Sequence, residues 1–147
     1  MLASQQQPQP ATTAPKRVLI VEDNPLNMKL FSAMISAQGY EVLQAMDGPL
    51  GLDMAQRLHP DLIVMDIQLP GLSGLEVTER LKADDATRTI PIIATTAFAL
   101  RGDEERIRAS GCDGYMAKPI AITEFIELID SFVARGAAAA HPENCPV

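Results

Sequence analysis

The fold prediction rests first on Leu62-Ile63-Val64-Met65-Asp66, which is followed by a turn at Pro70-Gly71. Residues 61 to 66 form an apolar run without alternation, which is typical of a strand buried on both faces. Asp66 stands where that run ends, and open α/β sheets usually place their chemistry at the carboxyl ends of their strands. An Asp at a strand end can also simply cap a turn, so Asp66 alone leaves both interpretations open.

Four other strand-like runs accompany this one, and each strand is followed by a helical pattern. Strands are predicted at 16–21, 41–45, 61–66, 90–95 and 115–117, and helices at 25–38, 48–58, 75–82, 103–110 and 122–133. This alternation predicts a doubly wound α/β domain with a five-stranded parallel sheet, helices on both faces and right-handed crossovers.

Two helices carry more detailed predictions. The first begins at Pro25, and its continuous apolar face is predicted to consist of Leu26, Leu30, Phe31, Met34 and Ile35. The last follows Ile120-Ala121-Ile122, which offers no capping side chain. Either Thr123 caps a later start, or this helix begins uncapped.

Composition narrows the class of protein. The 147 residues are 47% hydrophobic and carry a net charge of -7, without a basic cluster that would suit a phosphate backbone, so we expect no DNA binding. No run resembles a signal peptide or a membrane span, and Cys112 and Cys145 form no disulfide framework, so a cytoplasmic location is expected. We expect a disordered tail at 1–15, one domain at 16–135 and a flexible tail at 136–147.

Polar side chains follow four of the predicted strands, and parallel strands present their carboxyl ends at one edge. These side chains are Glu22, Asp23, Asp66, Thr96 and Lys118. Three carboxylates at one edge repel one another and need a compensating cation, and oxygen ligands of this kind suit Mg²⁺. A carboxylate nucleophile, a divalent cation, a lysine and a hydroxyl are what phosphoryl transfer to Asp requires.

Each of these residues also has a purely structural interpretation. Asp23 or Asn24 could be an N-cap before Pro25, Thr96 could cap the next helix, and Lys118 could lie in an exposed turn. Tyr115 is more often a half-buried sheet residue than a switch. The functional interpretation is favoured because these residues all fall at the same edge of the sheet.

Four motifs fall at this edge: Glu22-Asp23, Asp66 with Pro70-Gly71, Thr95-Thr96-Ala97, and Lys118-Pro119. With these motifs, residues 16 to 134 resemble a response-regulator receiver domain. The resemblance implies a flavodoxin-like sheet of order 2-1-3-4-5 and Asp66 as the phospho-acceptor. It also implies Mg²⁺, for which Mn²⁺ can substitute, held by Glu22, Asp23, Asp66 and the backbone carbonyl of Gln68. Lys118 would pair with the phosphoryl group, and Thr96 and Tyr115 would form the switch pair.

The resemblance extends to single-domain receivers of alphaproteobacteria that act in the cell cycle and cell division. It therefore implies a phospho-acceptor regulator, assisting its own phosphorylation and dephosphorylation, rather than an enzyme acting on other substrates. The expected partners are sensor histidine kinases and related phosphotransfer or signalling proteins, and the expected state is a monomer or weak dimer without membrane insertion. A shuttle that passes the phosphoryl group to a histidine phosphotransfer protein remains the alternative.

Other classes fit the sequence less well. A haloacid-dehalogenase-like phosphatase requires a second acid two residues after its nucleophile, where this sequence has Gln68. A nucleotide binder requires a glycine-rich loop after the first strand.

With no output domain expected after residue 135, the phosphorylation signal should be read from a surface of the domain itself. We predict that this surface comprises the fourth helix, fifth strand and fifth helix, with Phe98, Ala99 and Leu100 as its apolar anchor.

Overall fold

The computed structural model describes residues 15–97 and 101–138, with the backbone alone at 101–103 and 136–138. Strands and helices alternate along the chain. The strands are β1 (Arg17–Val21), β2 (Glu41–Ala45), β3 (Leu62–Asp66), β4 (Ile92–Thr96) and β5 (Gly114–Ala117). The helices are α1 (Pro25–Ser36), α2 (Gly48–Leu58), α3 (Gly74–Ala83), α4 (Arg101–Ala109) and α5 (Ile122–Ala138).

The five strands form one parallel sheet in the order β2-β1-β3-β4-β5, which confirms the predicted fold class. β3 lies at its centre and is buried along its whole length, as its unbroken apolar run predicts. The sheet separates two apolar clusters. One cluster joins it to α1 and α5 through residues such as Phe31 and Phe125, and the other joins it to α2 and α3 through residues such as Ala55 and Val77.

The helix starts follow local chemistry. Asn24, Asp47 and Ser73 accept hydrogen bonds from backbone N–H groups in the first turns of α1, α2 and α3. α5 begins at Ile122, directly after Ala121, whose carbonyl accepts a hydrogen bond from the N–H of Phe125 at 2.9 Å. An alanine has no capping oxygen, so the uncapped start is the alternative that the structure supports.

The predicted apolar face of α1 was partly wrong. Phe31 and Ile35 are buried together with Met28, whereas Leu26 is 75% exposed and Leu30 is 48% exposed. At about 100° per residue, Met28, Phe31 and Ile35 form one narrow stripe and both leucines fall outside it. Apolar character alone therefore overestimated the face that packs on the sheet.

Several expectations fall at or beyond the limits of the described residues. Residues 1–14 and 139–147 of the predicted tails lie outside them, as does the predicted anchor 98–100. α5 runs on to Ala138, past the predicted domain end at 135. Among the described helices, none combines the length and the apolar character that a membrane span requires.

Candidate functional site

Three carboxylates meet at the carboxyl edge of the sheet. β1 and β3 pair in parallel with Val21 opposite Met65, so one step further the chain places Glu22 beside Asp66. Glu22 and Asp66 are buried, with 1% and 3% of their surface exposed, whereas Asp23 is open to solvent. One carboxylate oxygen from each of the three lies within 4.8 Å of the others. The predicted acidic cluster is therefore present.

One ammonium group offsets part of this negative charge. Lys118 Nζ lies 3.2 Å from Glu22 Oε1 and 3.4 Å from Asp66 Oδ2. Burial raises the pKa of the Glu22 carboxyl, and the negative charge of Asp66 raises it further, while Lys118 lowers it. Three carboxylates facing one lysine leave an excess of negative charge, and oxygen donors with one side open to water suit Mg²⁺. The residues present therefore fit a magnesium ion.

After β1, the side chain that caps α1 belongs to Asn24, and Asp23 contributes to the acidic cluster instead. The Asn24 side chain accepts hydrogen bonds from the N–H groups of Leu26 at 2.9 Å and Asn27 at 3.0 Å. Asn24 also donates its own N–H to Glu22 Oε2 at 3.1 Å, which orients that carboxylate. Because Asn24 is the N-cap of α1, Asp23 is not needed as a helix cap.

Asp66 is held from behind by the start of α3. A Cβ atom added to Gly74 would lie 2.1 Å from the backbone oxygen of Asp66, so only glycine permits this approach. Gly74 follows Ser73, which forms a capping box with Glu76 through contacts of 3.1 and 3.2 Å. Gly74 was not among the predicted site residues, although the pattern Ser-x-x-Glu marks the helix start beside it.

Gln68 joins the Asp66 loop to the end of β4. Its backbone N–H donates to Asp66 Oδ1 at 2.9 Å, and its side-chain Nε2 donates to Thr96 Oγ1 at 3.0 Å. Its side-chain Oε1 accepts the N–H of Ala97 at 3.0 Å. From the sequence, only the backbone carbonyl of Gln68 was expected to matter, and no sequence signal pointed to its side chain.

Tyr115 lies apart from the acidic cluster and faces α4. Arg108 Cζ lies 5.9 Å from the centre of the Tyr115 ring, and Arg108 pairs with Glu104 at 3.2 Å. Desolvation, and then the hydrogen bond with Glu104, raise the pKa of the Tyr115 hydroxyl. The structure thus brings Glu22, Asp23, Asp66 and Lys118 together, sets Gln68 and Thr96 beside them, and places Tyr115 half-buried against α4.

Comparison with known proteins agrees with this geometry. The response regulator receiver domain family matches residues 18–130. A relative from Brucella anthropi, the polar-differentiation response regulator DivK, is 59% identical over 119 residues, which is 81% of this chain and 97% of that protein. Its counterpart from Brucella abortus is 58% identical over 118 residues, covering 80% of this chain and 96% of the relative.

Solved structures give the same assignment. The receiver domain of a sensor histidine kinase from Pseudomonas aeruginosa, with magnesium coordinated in its active-site cleft, is 37% identical and superposes with a TM-score of 0.77 over 82% of this chain and 99% of that one. A putative response regulator from Chloroflexus aurantiacus is 28% identical, with a TM-score of 0.80 over 83% and 100% of the two chains. The chain therefore belongs to the response regulator receiver family and is a signalling protein that resembles DivK.

Proposed function

We propose that Asp66 accepts a phosphoryl group from a phosphohistidine of a sensor histidine kinase or a phosphotransfer protein. The supporting observation is that the buried Asp66 carboxylate ends the central strand with Lys118 Nζ 3.4 Å away and two further carboxylates around it. In the transfer, an Asp66 oxygen forms a bond to phosphorus while the bond to the imidazole nitrogen breaks, and its electron pair stays on the imidazole. The acyl phosphate so formed is the signalling state.

Each neighbouring residue has a role in this proposal. Glu22, Asp23 and Asp66, with the backbone carbonyl of Gln68, would hold Mg²⁺, and Mn²⁺ is expected to substitute because it accepts the same oxygen ligands. Bound metal would neutralise charge on the phosphoryl oxygens. The Lys118 ammonium would form an ion pair with the phosphoryl group, and the Thr96 hydroxyl would donate a hydrogen bond to a phosphoryl oxygen. Tyr115, half-buried against α4, would carry the change to that face.

The carboxyl edge also carries the apolar surface that a phosphodonor needs. The large hydrophobic side chains that are exposed among the described residues follow the ends of β1, β2 and β5: Leu26, Leu30, Met46, Leu50 and Ile122. Of these, Leu26 and Ile122 stand in the first turns of α1 and α5, which pack on the same face of the sheet. Exposed apolar side chains at these helix starts are suited to contact with a partner protein, and a helical partner seated there could present a histidine to Asp66.

The wider role follows from the relatives. The resemblance to DivK supports a regulator of signalling proteins, with cell-cycle and cell-division kinases as its partners. In this proposal the protein acts in the cytoplasm, as a monomer or weak dimer, binds no DNA because its net charge is -7, and assists its own phosphorylation and dephosphorylation. A phosphorelay shuttle uses the same site, and no observation favours it over the regulator.

Incubation with acetyl phosphate and Mg²⁺ tests the assignment. Intact-mass measurement is expected to show one added phosphoryl group, which is lost on treatment with base and absent when EDTA replaces Mg²⁺. Asp66→Asn should abolish it, because an amide oxygen is a poor nucleophile. Asp53→Asn is the matched control, since Asp53 is an exposed helix residue paired with Arg57 at 2.8 Å. Undiminished labelling of Asp66→Asn would move the acceptor elsewhere.

A further inference from the structure

We infer that the Gln68 side chain is a positioning residue, a latch that holds Thr96 and Ala97, at the end of β4, in the unphosphorylated arrangement. This inference rests on the proposed function of Asp66. Gln68 contacts the acceptor carboxylate through its backbone and the β4 hydroxyl through its side chain, over a sequence separation of 28 residues. One residue therefore links the site of phosphorylation to the segment expected to respond.

The hydrogen-bond chemistry fixes how the amide is oriented. The backbone N–H of Ala97 can only donate, so the atom it meets at 3.0 Å is the Gln68 oxygen. The Gln68 nitrogen then faces Thr96 Oγ1, which accepts at 3.0 Å. Thr96 is fully buried and Gln68 half-buried, so water competes poorly for the bond between them. Both polar ends of the amide are thus used at once.

Phosphorylation makes this arrangement unfavourable. Phosphoryl oxygens on Asp66 act as acceptors, so they attract the Thr96 hydroxyl as a donor and draw it toward Asp66. The Gln68 amide is planar and is tied at both ends, so it cannot follow Thr96 while still accepting the N–H of Ala97. The switched arrangement must then lose at least one latch bond. Gln68 therefore sets how strongly a phosphoryl group must attract Thr96 before Thr96 and Ala97 leave this arrangement.

The test replaces the latch without shortening the side chain. Gln68→Met keeps a similar length but can neither donate nor accept these bonds, and Gln56→Met, at an exposed position of α2, is the matched control. Each protein is titrated with beryllofluoride, a stand-in for the phosphoryl group, at saturating Mg²⁺. The amide signals of Thr96 and Ala97 are followed by NMR. Because Gln68→Met could perturb folding, Gln68→Asn is measured beside it, since its side chain is one methylene shorter and cannot span both contacts.

Both Gln68 variants are expected to reach half-saturation at about tenfold lower beryllofluoride than the parent protein, the effect of removing one to two net hydrogen bonds. Their Ala97 amide signal should already be displaced before any beryllofluoride is added, and Gln56→Met should match the parent. Equal or higher half-saturating concentrations in the Gln68 variants would overturn the latch while leaving the role of Asp66 intact. A parent protein that gives no response at all would overturn the proposed function, and the latch with it.

Discussion

Lys82 and Lys118 lie near opposite edges of the sheet and are almost equally shielded, with side chains 17% and 18% exposed. Lys82 Nζ, at the amino edge, lies 3.1 Å from the carbonyl of Arg88, 2.8 Å from that of Ile90 and 2.9 Å from Asp113 Oδ2. Its three donor positions are therefore all used. Lys118, at the carboxyl edge, makes longer ion pairs of 3.2 and 3.4 Å with Glu22 and Asp66.

The difference shows that burial alone does not identify a functional lysine. Around Lys82, one carboxylate balances the charge of the ammonium and two carbonyls accept its other N–H groups. The ammonium therefore finds all of its partners within the fold. Around Lys118 one ammonium faces a cluster of three carboxylates, so the charge remains unbalanced until a cation arrives. A lysine with a complete set of partners stabilises the fold, whereas a lysine with an incomplete set indicates a site that binds another molecule.

The largest expected effect on stability is that of Lys82→Met. The loss of three short hydrogen bonds to a charged donor should lower the free energy of unfolding by about 2–3 kcal/mol, a value reduced by the partial exposure of Asp113. Urea denaturation measures this change, and Lys29→Met on the exposed side of α1 is the control. Phosphorylation by acetyl phosphate should persist. A variant as stable as the control would remove the distinction between the two lysines.

Lys118→Met should have the opposite effects, with little change in stability and loss of the response to beryllofluoride. Because the raised pKa of Glu22 lets that carboxyl take up a proton more readily, the free energy of unfolding should change by only about 1 kcal/mol or less. The NMR response of α4 and β5 to beryllofluoride should disappear, since the positive partner of the phosphoryl group is gone. Denaturation and NMR on one preparation separate the two effects. A large loss of stability with an intact response would make Lys118 a structural residue like Lys82.

Two fully buried threonines extend the comparison on a smaller scale. Thr87 donates its hydroxyl to the carbonyl of Leu81 at 2.7 Å, whereas the hydroxyl of Thr95, at the carboxyl end of β4, has no hydrogen-bond partner among the described residues. Thr87→Val should lower the free energy of unfolding by about 1 kcal/mol, and Thr95→Val should raise it by up to about 1 kcal/mol. Thermal unfolding of both variants checks the signs. Destabilisation by Thr95→Val would mean that its hydroxyl is satisfied in solution.

Much of the carboxyl edge could be predicted because it depends on local patterns. The unbroken apolar run before Asp66 predicts a buried central strand, and parallel strands bring their carboxyl ends together whatever the loops do. Glu22 and Asp66 therefore had to lie at the same edge, and the sheet order makes them neighbours. The sheet order itself came from the resemblance to receiver domains and is confirmed by the structure.

The alternation of strands and helices, and the gathering of three acids at one edge, follow from the residue pattern, because backbone periodicity and strand direction are local properties. The packed fold was needed to show which α1 side chains are buried, that Asn24 rather than Asp23 caps α1, and where the Gln68 side chain reaches. The pairing of Lys118 with Glu22 spans 96 residues, so no local pattern encodes it. Such contacts depend on how loops from separate strands pack against one another, and that packing is a property of the whole fold.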